Sequence, residues 1–232
     1  MRDSGPRLGT LRLWMRREGM CLAILERALR LLRMEKCLPE AEVELNRCLY
    51  FCLLIASNEL YPTDPVPPTA ECNNQPDPSD ELRAAREQKR PDFQWSFRDQ
   101  YEQDPKHSSK QFVVECKRLG KSLRADRVFN LKYVRDGICR FQDPKWAYAQ
   151  RFGSGAMVGY CQSMEPGQVL REVNEEARKH SLPNLVPGDS QVSGCDRLEH
   201  TFERSFNVSP FRLIHLWIDL RQPGIEGTSG ER

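Results

Sequence analysis

The chain has 232 residues with 39% hydrophobic content, enough for one sizeable core and at most a small appendage. A formal net charge of +2 excludes a global field of the kind carried by wholly basic nucleic-acid binders, so any cationic surface must be local. Nine cysteines show no C-x-x-C pairing and no repeating framework, and four scattered histidines (His107, His180, His200, His215) give them no zinc-ligand spacing.

Residues 1–19 are rich in arginine and lack a steady apolar period, which predicts a flexible basic segment. The apolar run from Cys21 to Leu25 is interrupted at once by Glu26 and Arg27, unlike the core of a secretory signal. Leu22, Leu25, Leu29 and Leu32 recur at helical spacing and predict a core-docking helix from about Met20 to Met34. A basic amphipathic helix on a membrane surface is the other reading of that stripe. After Pro39 a second helix is expected, with Leu45, Leu49, Cys52 and Ala56 on one side. Its apolar run from Cys48 to Ala56 is too short to span a bilayer. Glu40, Glu42 and Glu44 stand near its positive end, where carboxylates complement the helix dipole.

Prolines 62, 65, 67, 68, 76 and 78 make the stretch from Tyr61 to Pro78 a surface loop within one domain spanning 20–220. Ser79 is placed to cap a short helix with Asp80 and Glu81 in its first turn and Lys89 and Arg90 at its end. Two strands follow. Phe93, Trp95 and Phe97 alternate with polar residues in the first. In the second, Phe112, Val114 and Cys116 face one way and Val113, Glu115 and Lys117 the other. Paired through a polar connector, they bring Asp92 close to Glu115 and Lys117. A carboxylate and an ammonium at the end of an apolar strand are costly to desolvate unless they face a cleft or a cation. Two carboxylates with an ammonium suit divalent-metal chemistry on phosphate. His107, in the connector, is either a solvated loop residue or a general base.

Beyond Lys117 the cations crowd. Arg118, Lys121, Arg124 and Arg127, followed by Lys132, Arg135 and Arg140, are either a solvated face or contacts to a phosphodiester backbone. Gly153-Ser154-Gly155 ahead of a helix-compatible run predicts a helix whose N-terminal turn could hold an anion and whose glycines pack closely on the sheet. A surface helix is expected from Gln168 to His180, a loop from Leu182 to Arg197, a weak strand around Arg197 to Phe206, and a buried strand from Phe211 to Leu220. The glycine-containing segment 221–232 is expected to fray.

The order Pro91-Asp92, a connector, then Glu115-x-Lys117 at the end of an apolar strand resembles the PD-(D/E)xK nuclease superfamily, with uncharacterised bacterial restriction-endonuclease-like proteins the nearest comparison. The resemblance runs from about Glu40 to Leu220. It implies an α/β fold with a restriction-endonuclease-like αβββαβ core, a central mixed sheet flanked by helices. It also implies an endonuclease acting on DNA in defence or repair, with Asp92, Glu115 and Lys117 catalytic. Mg²⁺, or Mn²⁺ in its place, would be held by Asp92, Glu115 and the Cys116 backbone carbonyl. The helix before the sheet often supplies a further acidic ligand in that superfamily, and Glu44 is the choice here. The nearby metal is expected to lower the Lys117 pKa. Arg118, Lys121, Arg124 and Arg127 would contact the nucleic acid. RNA stays open as a substrate, as do a homodimer and an inactive nuclease-fold module that only binds or regulates. The comparison implies no membrane partner and a bacterial cytoplasm, which agrees with cysteines read as buried thiols.

Overall fold

The computed structural model describes residues 8–122, 128–192, 194–206 and 208–221. Helix α1 (Leu8–Arg33) starts well before the leucine stripe. Trp14 is the reason. Its indole is buried, stacks on Phe152 with ring centroids 3.6 Å apart, and donates to Ser154 Oγ at 2.9 Å. Glu18, Cys21, Leu25 and Leu29 continue the same face inward, and buried Glu18 is neutralised by Arg212. Residues 8–19 are therefore part of the folded body, not a flexible segment. Their arginines conceal the pattern because most point outward, while Arg17 lies over the Phe97 ring at 4.5 Å.

Helix α2 (Glu42–Leu60) lies against α1 and buries Leu45, Leu49, Cys52, Leu53 and Ala56, the face its sequence periodicity marks. Among the described residues no helix is long and apolar enough to cross a membrane.

The protein is an α/β fold with a seven-stranded mixed sheet flanked by helices. Strands β1 (Thr69–Ala70), β2 (Phe93–Arg98) and β3 (Ser109–Leu119) form an antiparallel meander. Strand β4 (Ser154–Cys161) lies parallel to β3, and β7 (Phe211–Asp219) parallel to β4. Strands β6 (Cys195–Phe202) and β5 (Val186–Val192) extend the far side antiparallel, giving the order β1-β2-β3-β4-β7-β6-β5. One core joins α1 and α2 to the sheet face carrying Phe93, Trp95, Phe112, Val114 and Cys116. The other holds Val113, Leu119, Met157 and Trp217 beneath α4 (Asn130–Tyr133), a π-helical turn (Val134–Ile138), α5 (Cys139–Gln142) and α6 (Pro166–Lys179). The alternation expected in β3 is thus the one found.

Three expectations are corrected. Residues 154–161 form a fully buried central strand rather than a helix, so Gly153-Ser154-Gly155 is no anion-holding turn. Gly159 is small because a Cβ there would meet Leu119 Cδ1 at 2.5 Å and Trp217 Cδ1 at 2.6 Å, both on neighbouring strands. The expected loop after Leu182 contains β5, a strand disguised by Pro187 and Gly188 and irregular between Pro187 and Gln191. The helix placed after Ser79 shrinks to α3 (Arg83–Arg86), and Ser79 instead donates to Asp77. Of the expected fraying tail, Arg221 is bound to Asp219 and Glu165, and residues 222–232 lie outside those described. All nine cysteines are free thiols.

Candidate active site at the open edge of β3

Strand β2 begins at Phe93, opposite Val114, so on that side β3 has no strand partner from Glu115 to Leu119. The backbone N–H groups of Cys116 and Arg118 point into this notch and must be satisfied by something other than a strand. Two carboxylates do so. Asp92 Oδ2 accepts from Cys116 N at 2.6 Å, and Glu42 Oε2 accepts from Arg118 N at 3.2 Å. The sheet edge thereby fixes the two acids at alternate residues of β3.

Asp92 is further oriented from α2. Asn46 Nδ2 donates to Asp92 Oδ1 at 3.0 Å, and Tyr160 of β4 donates its hydroxyl to Asn46 Oδ1 at 2.8 Å, which fixes the amide's direction. Lys117 reaches the middle of the group. Its Nζ lies 2.9 Å from Glu42 Oε1, 2.9 Å from Glu115 Oε1, 2.8 Å from the Cys116 carbonyl oxygen and 4.0 Å from Asp92 Oδ2. Arg140, from α5, closes the far side on Glu115 Oε1, with its guanidinium 4.2 Å from the Trp146 ring centroid. Gly137 of the π-helical turn allows that approach, because a Cβ would stand 2.5 Å from Met157 Cε and 3.4 Å from Lys117 Cγ.

Three carboxylates and two cations in little solvent perturb one another. Burial, and then the like charge of Asp92, push the Glu115 carboxyl up to about 8 against the pull of Lys117 and Arg140. Burial also raises Asp92, although Lys117 and the Cys116 N–H oppose it. For Lys117 burial acts downward, but Glu115, Asp92 and Glu42 outweigh it and hold the ammonium above the ordinary lysine range. The lowering expected of Lys117 is an effect of a bound metal; the three carboxylates by themselves act in the opposite direction. With two cations on one Glu115 oxygen, the geometry describes an ionised carboxylate whose proton affinity is raised by burial.

The structure brings Asp92, Glu115, Cys116 and Lys117 together as the sequence pattern places them. Glu44 is elsewhere, on the outer face of α2 in an exposed ion pair with Arg47. Glu42 takes the position assigned to it. The signal was in the helical phase, since Glu42 precedes Leu45 and Asn46 by one turn on the inward side, whereas Glu44 does not. Asn46 and Tyr160 were also missed, each a single polar residue in its stretch, and Arg140 is lost among the cations that crowd after Lys117.

Among the proposed nucleic-acid contacts, Arg118 is occupied within the fold. Its guanidinium lies 4.0 Å from the Phe129 ring centroid, and Nη1 donates to the Glu40 carbonyl at 3.3 Å. Lys121 is exposed at the rim. There Gly120, at φ +91°, turns the chain, its N–H donating to buried Asn130 Oδ1 at 2.8 Å. Ser163 Oγ accepts from Lys121 N and donates to Lys121 O, both at 2.7 Å, and Lys121 bridges to Val128. Arg124 and Arg127 lie outside the described residues. His107 pairs with Asp77 at 2.9 Å beside Arg151, away from this group.

Whether the donors fit a hard divalent cation is a question of chemistry and order. Asp92, Glu115, Glu42 and the Cys116 carbonyl supply only oxygen, the donor type Mg²⁺ takes, and Glu115 Oε2 is buried without a hydrogen-bond partner. The donor set therefore fits. Among the described residues, however, no three acidic, histidine or cysteine side chains are already drawn together as a metal cluster. They surround the Lys117 ammonium instead. No known family matches this chain, and no curated protein or solved structure is significantly similar to it.

Proposed function

We propose that this chain is a divalent-metal-dependent nuclease with a restriction-endonuclease-like core, acting on DNA. The observation that carries the reading is the convergence of Asp92, Glu115, Glu42 and the Cys116 carbonyl on one cation at the open edge of β3. The topology supports it. Helix α2, the antiparallel β1-β2-β3 meander, the helical segment after it and β4 parallel to β3 follow the αβββαβ order that the resemblance implies.

A bound Mg²⁺ would be held by Asp92, Glu115 and the Cys116 carbonyl, with Glu42 as the further carboxylate, and would supply Lewis acidity toward a phosphodiester oxygen. Asn46 and the Cys116 N–H keep both Asp92 oxygens aimed before substrate arrives, so little reorganisation is left for the reaction. Lys117, held as an ammonium, acts as a donor and a charge rather than a base. It orients the attacking water and stabilises negative charge developing on the phosphoryl oxygens. Glu42 is the most exposed of the three acids, so its carboxylate borders solvent while it holds the Lys117 ammonium. Lys121 at the rim meets the phosphate backbone.

Incubation with supercoiled plasmid tests this directly. Nicking or linearisation with Mg²⁺ or Mn²⁺, absent with EDTA and in Asp92→Ala, is the expected result. Asp92→Ala should still bind DNA as tightly or more tightly, because one phosphate-repelling charge is gone. A second reading, a binding module on the same fold, is favoured by the ammonium standing where the carboxylates converge. Failure of every divalent ion to support cleavage, with DNA binding indifferent to Asp92, would establish it.

A further inference from the structure

The segment joining α5 to β4, residues 143–153, is held in a costly conformation. Ala147 and Ala149 adopt left-handed backbone angles, φ +48° and +50°, which glycine would take without strain. The segment is also tied down. Buried Arg204 donates to the carbonyls of Tyr148, Ala149 and Phe152 at 3.0, 2.9 and 3.0 Å, and Asn74 donates to the Trp146 carbonyl at 3.1 Å. Between the two strained alanines stands Tyr148, fully buried and edge-on to Phe141 and Trp146, with ring centroids 5.7 Å from each.

Among the described residues the Tyr148 hydroxyl has no hydrogen-bond partner, and neither do Glu115 Oε2 and Arg140 Nε, all three atoms being buried. Orphaned groups of this kind cost stability and call for an explanation. The three belong to one corner of the site. Arg140 holds Glu115 Oε1 and lies over the Trp146 ring, and the charges of Glu115, Arg140 and Asp92 all act on the Tyr148 hydroxyl. Burial, and then the charge of Glu115, push the phenol far above its ordinary range, so it stays a neutral donor. A donor without an acceptor thus stands near a carboxylate oxygen without a donor.

We propose that Tyr148 is a positioning residue of the metal site, its hydroxyl donating to Glu115 Oε2 when a divalent cation replaces the Lys117 ammonium at Oε1. The inference rests on the metal-dependent reading of that site. Lys117 and Arg140 both draw on Oε1, and with that oxygen doubly held Oε2 stays outside hydrogen-bond geometry with Tyr148. A buried carboxylate that exchanges Lys117 for a cation needs a donor from the protein side to keep its direction. Tyr148 supplies one without adding a charge that would repel the cation, and the clamped backbone holds it there beforehand.

Tyr148→Phe deletes only the hydroxyl. Without metal its melting temperature is expected to equal or exceed that of wild type, because no hydrogen bond is lost. Calorimetric titration with Mn²⁺ is expected to show binding weakened about tenfold or more, the usual effect of removing a group that holds a ligating carboxylate. Asp92→Ala should bind no Mn²⁺, which assigns the titrated site. Equal Mn²⁺ affinity in wild type and Tyr148→Phe would overturn this inference and leave the metal site standing. A lower melting temperature of the metal-free variant would also overturn it, by showing that the hydroxyl is paired within the fold. Failure of wild type to bind Mn²⁺ would overturn the metal-dependent reading itself, and this inference with it.

Discussion

Replacing Lys117 with methionine removes the only ammonium among Asp92, Glu115 and Glu42 while keeping most of the side-chain volume. Glu115 is fully buried and retains Arg140, whereas Asp92 and Glu42 lose their cation at 4.0 and 2.9 Å. Breaking a buried ion pair from one side costs about 3–5 kcal/mol. For a chain of this size that is a fall of roughly 10 °C in melting temperature. The loss should depend on pH in a stated direction. Glu115 is already raised by burial to about 8 from 4.5, and Asp92 is raised too; without Lys117 both rise further. A carboxyl raised in the folded state costs stability only when ionised. The Glu115 part of the deficit is therefore smallest below about pH 8, where the carboxyl keeps its proton in both folded proteins, grows as pH rises through about 8, and is full only above the variant's still higher pKa. Urea denaturation of both proteins at pH 9 and pH 5 measures it. An equal loss at the two pH values would refute the electrostatic account and leave only lost packing. A Mg²⁺ titration adds an independent arm, because an ion that enters the ammonium's place should stabilise the variant more than wild type.

Glu42→Gln should reduce cleavage at least 100-fold, whereas Glu44→Gln should leave it within twofold, a contrast readable from initial nicking rates. Trp14→Ala should lower stability by about 3–5 kcal/mol in denaturant titration, since its ring is buried against Phe152 and Phe112; an unaffected midpoint would return residues 8–19 to the status of an appendage. His200 and His215 are buried face to edge, with burial holding His200 down to about 4 and His215 well below its usual value. Trp217 donates to the Tyr133 hydroxyl, and Tyr133 in turn to His215, a chain that keeps the ring neutral. Depressed folded pKa values contribute stability that is present above pH 6.5 and lost as pH falls toward 4, by up to about 1.4 kcal/mol per pH unit for each histidine. A His200→Gln variant should flatten that slope.

The strands flanking the site could be read directly because β2 alternates Phe93, Trp95 and Phe97 with polar residues, and β3 sets Phe112, Val114 and Cys116 against Val113, Glu115 and Lys117. Asp92, Glu115 and Lys117 follow from that register almost mechanically. What stayed hidden was set by tertiary context. Strand β4 carries Gly155 and Gly159 because Phe141 and Phe211 at the first, and Leu119 and Trp217 at the second, occupy the space a side chain would need, so its composition resembles a turn. The first turns of α1 look disordered because a single tryptophan, rather than a repeating stripe, anchors them. Arg140 could not be assigned to Glu115, since a π-helical turn precedes it and shifts the phase that helical spacing would predict.

The turn after Lys117 carries a consequence for how such a protein could change. Gly120, Asn130 and Ser163 clamp the point where the chain leaves β3, and the Lys121–Val128 bridge closes the segment that follows. The Gly120 N–H is taken by Asn130, and both the N–H and the C=O of Lys121 by Ser163, so the end of β3 is held from α4 and from the turn that follows β4. The three residues that would perform the chemistry lie upstream of this clamp. A substitution beyond Lys121 should therefore leave the strand ends that position Asp92, Glu115 and Lys117 as they are.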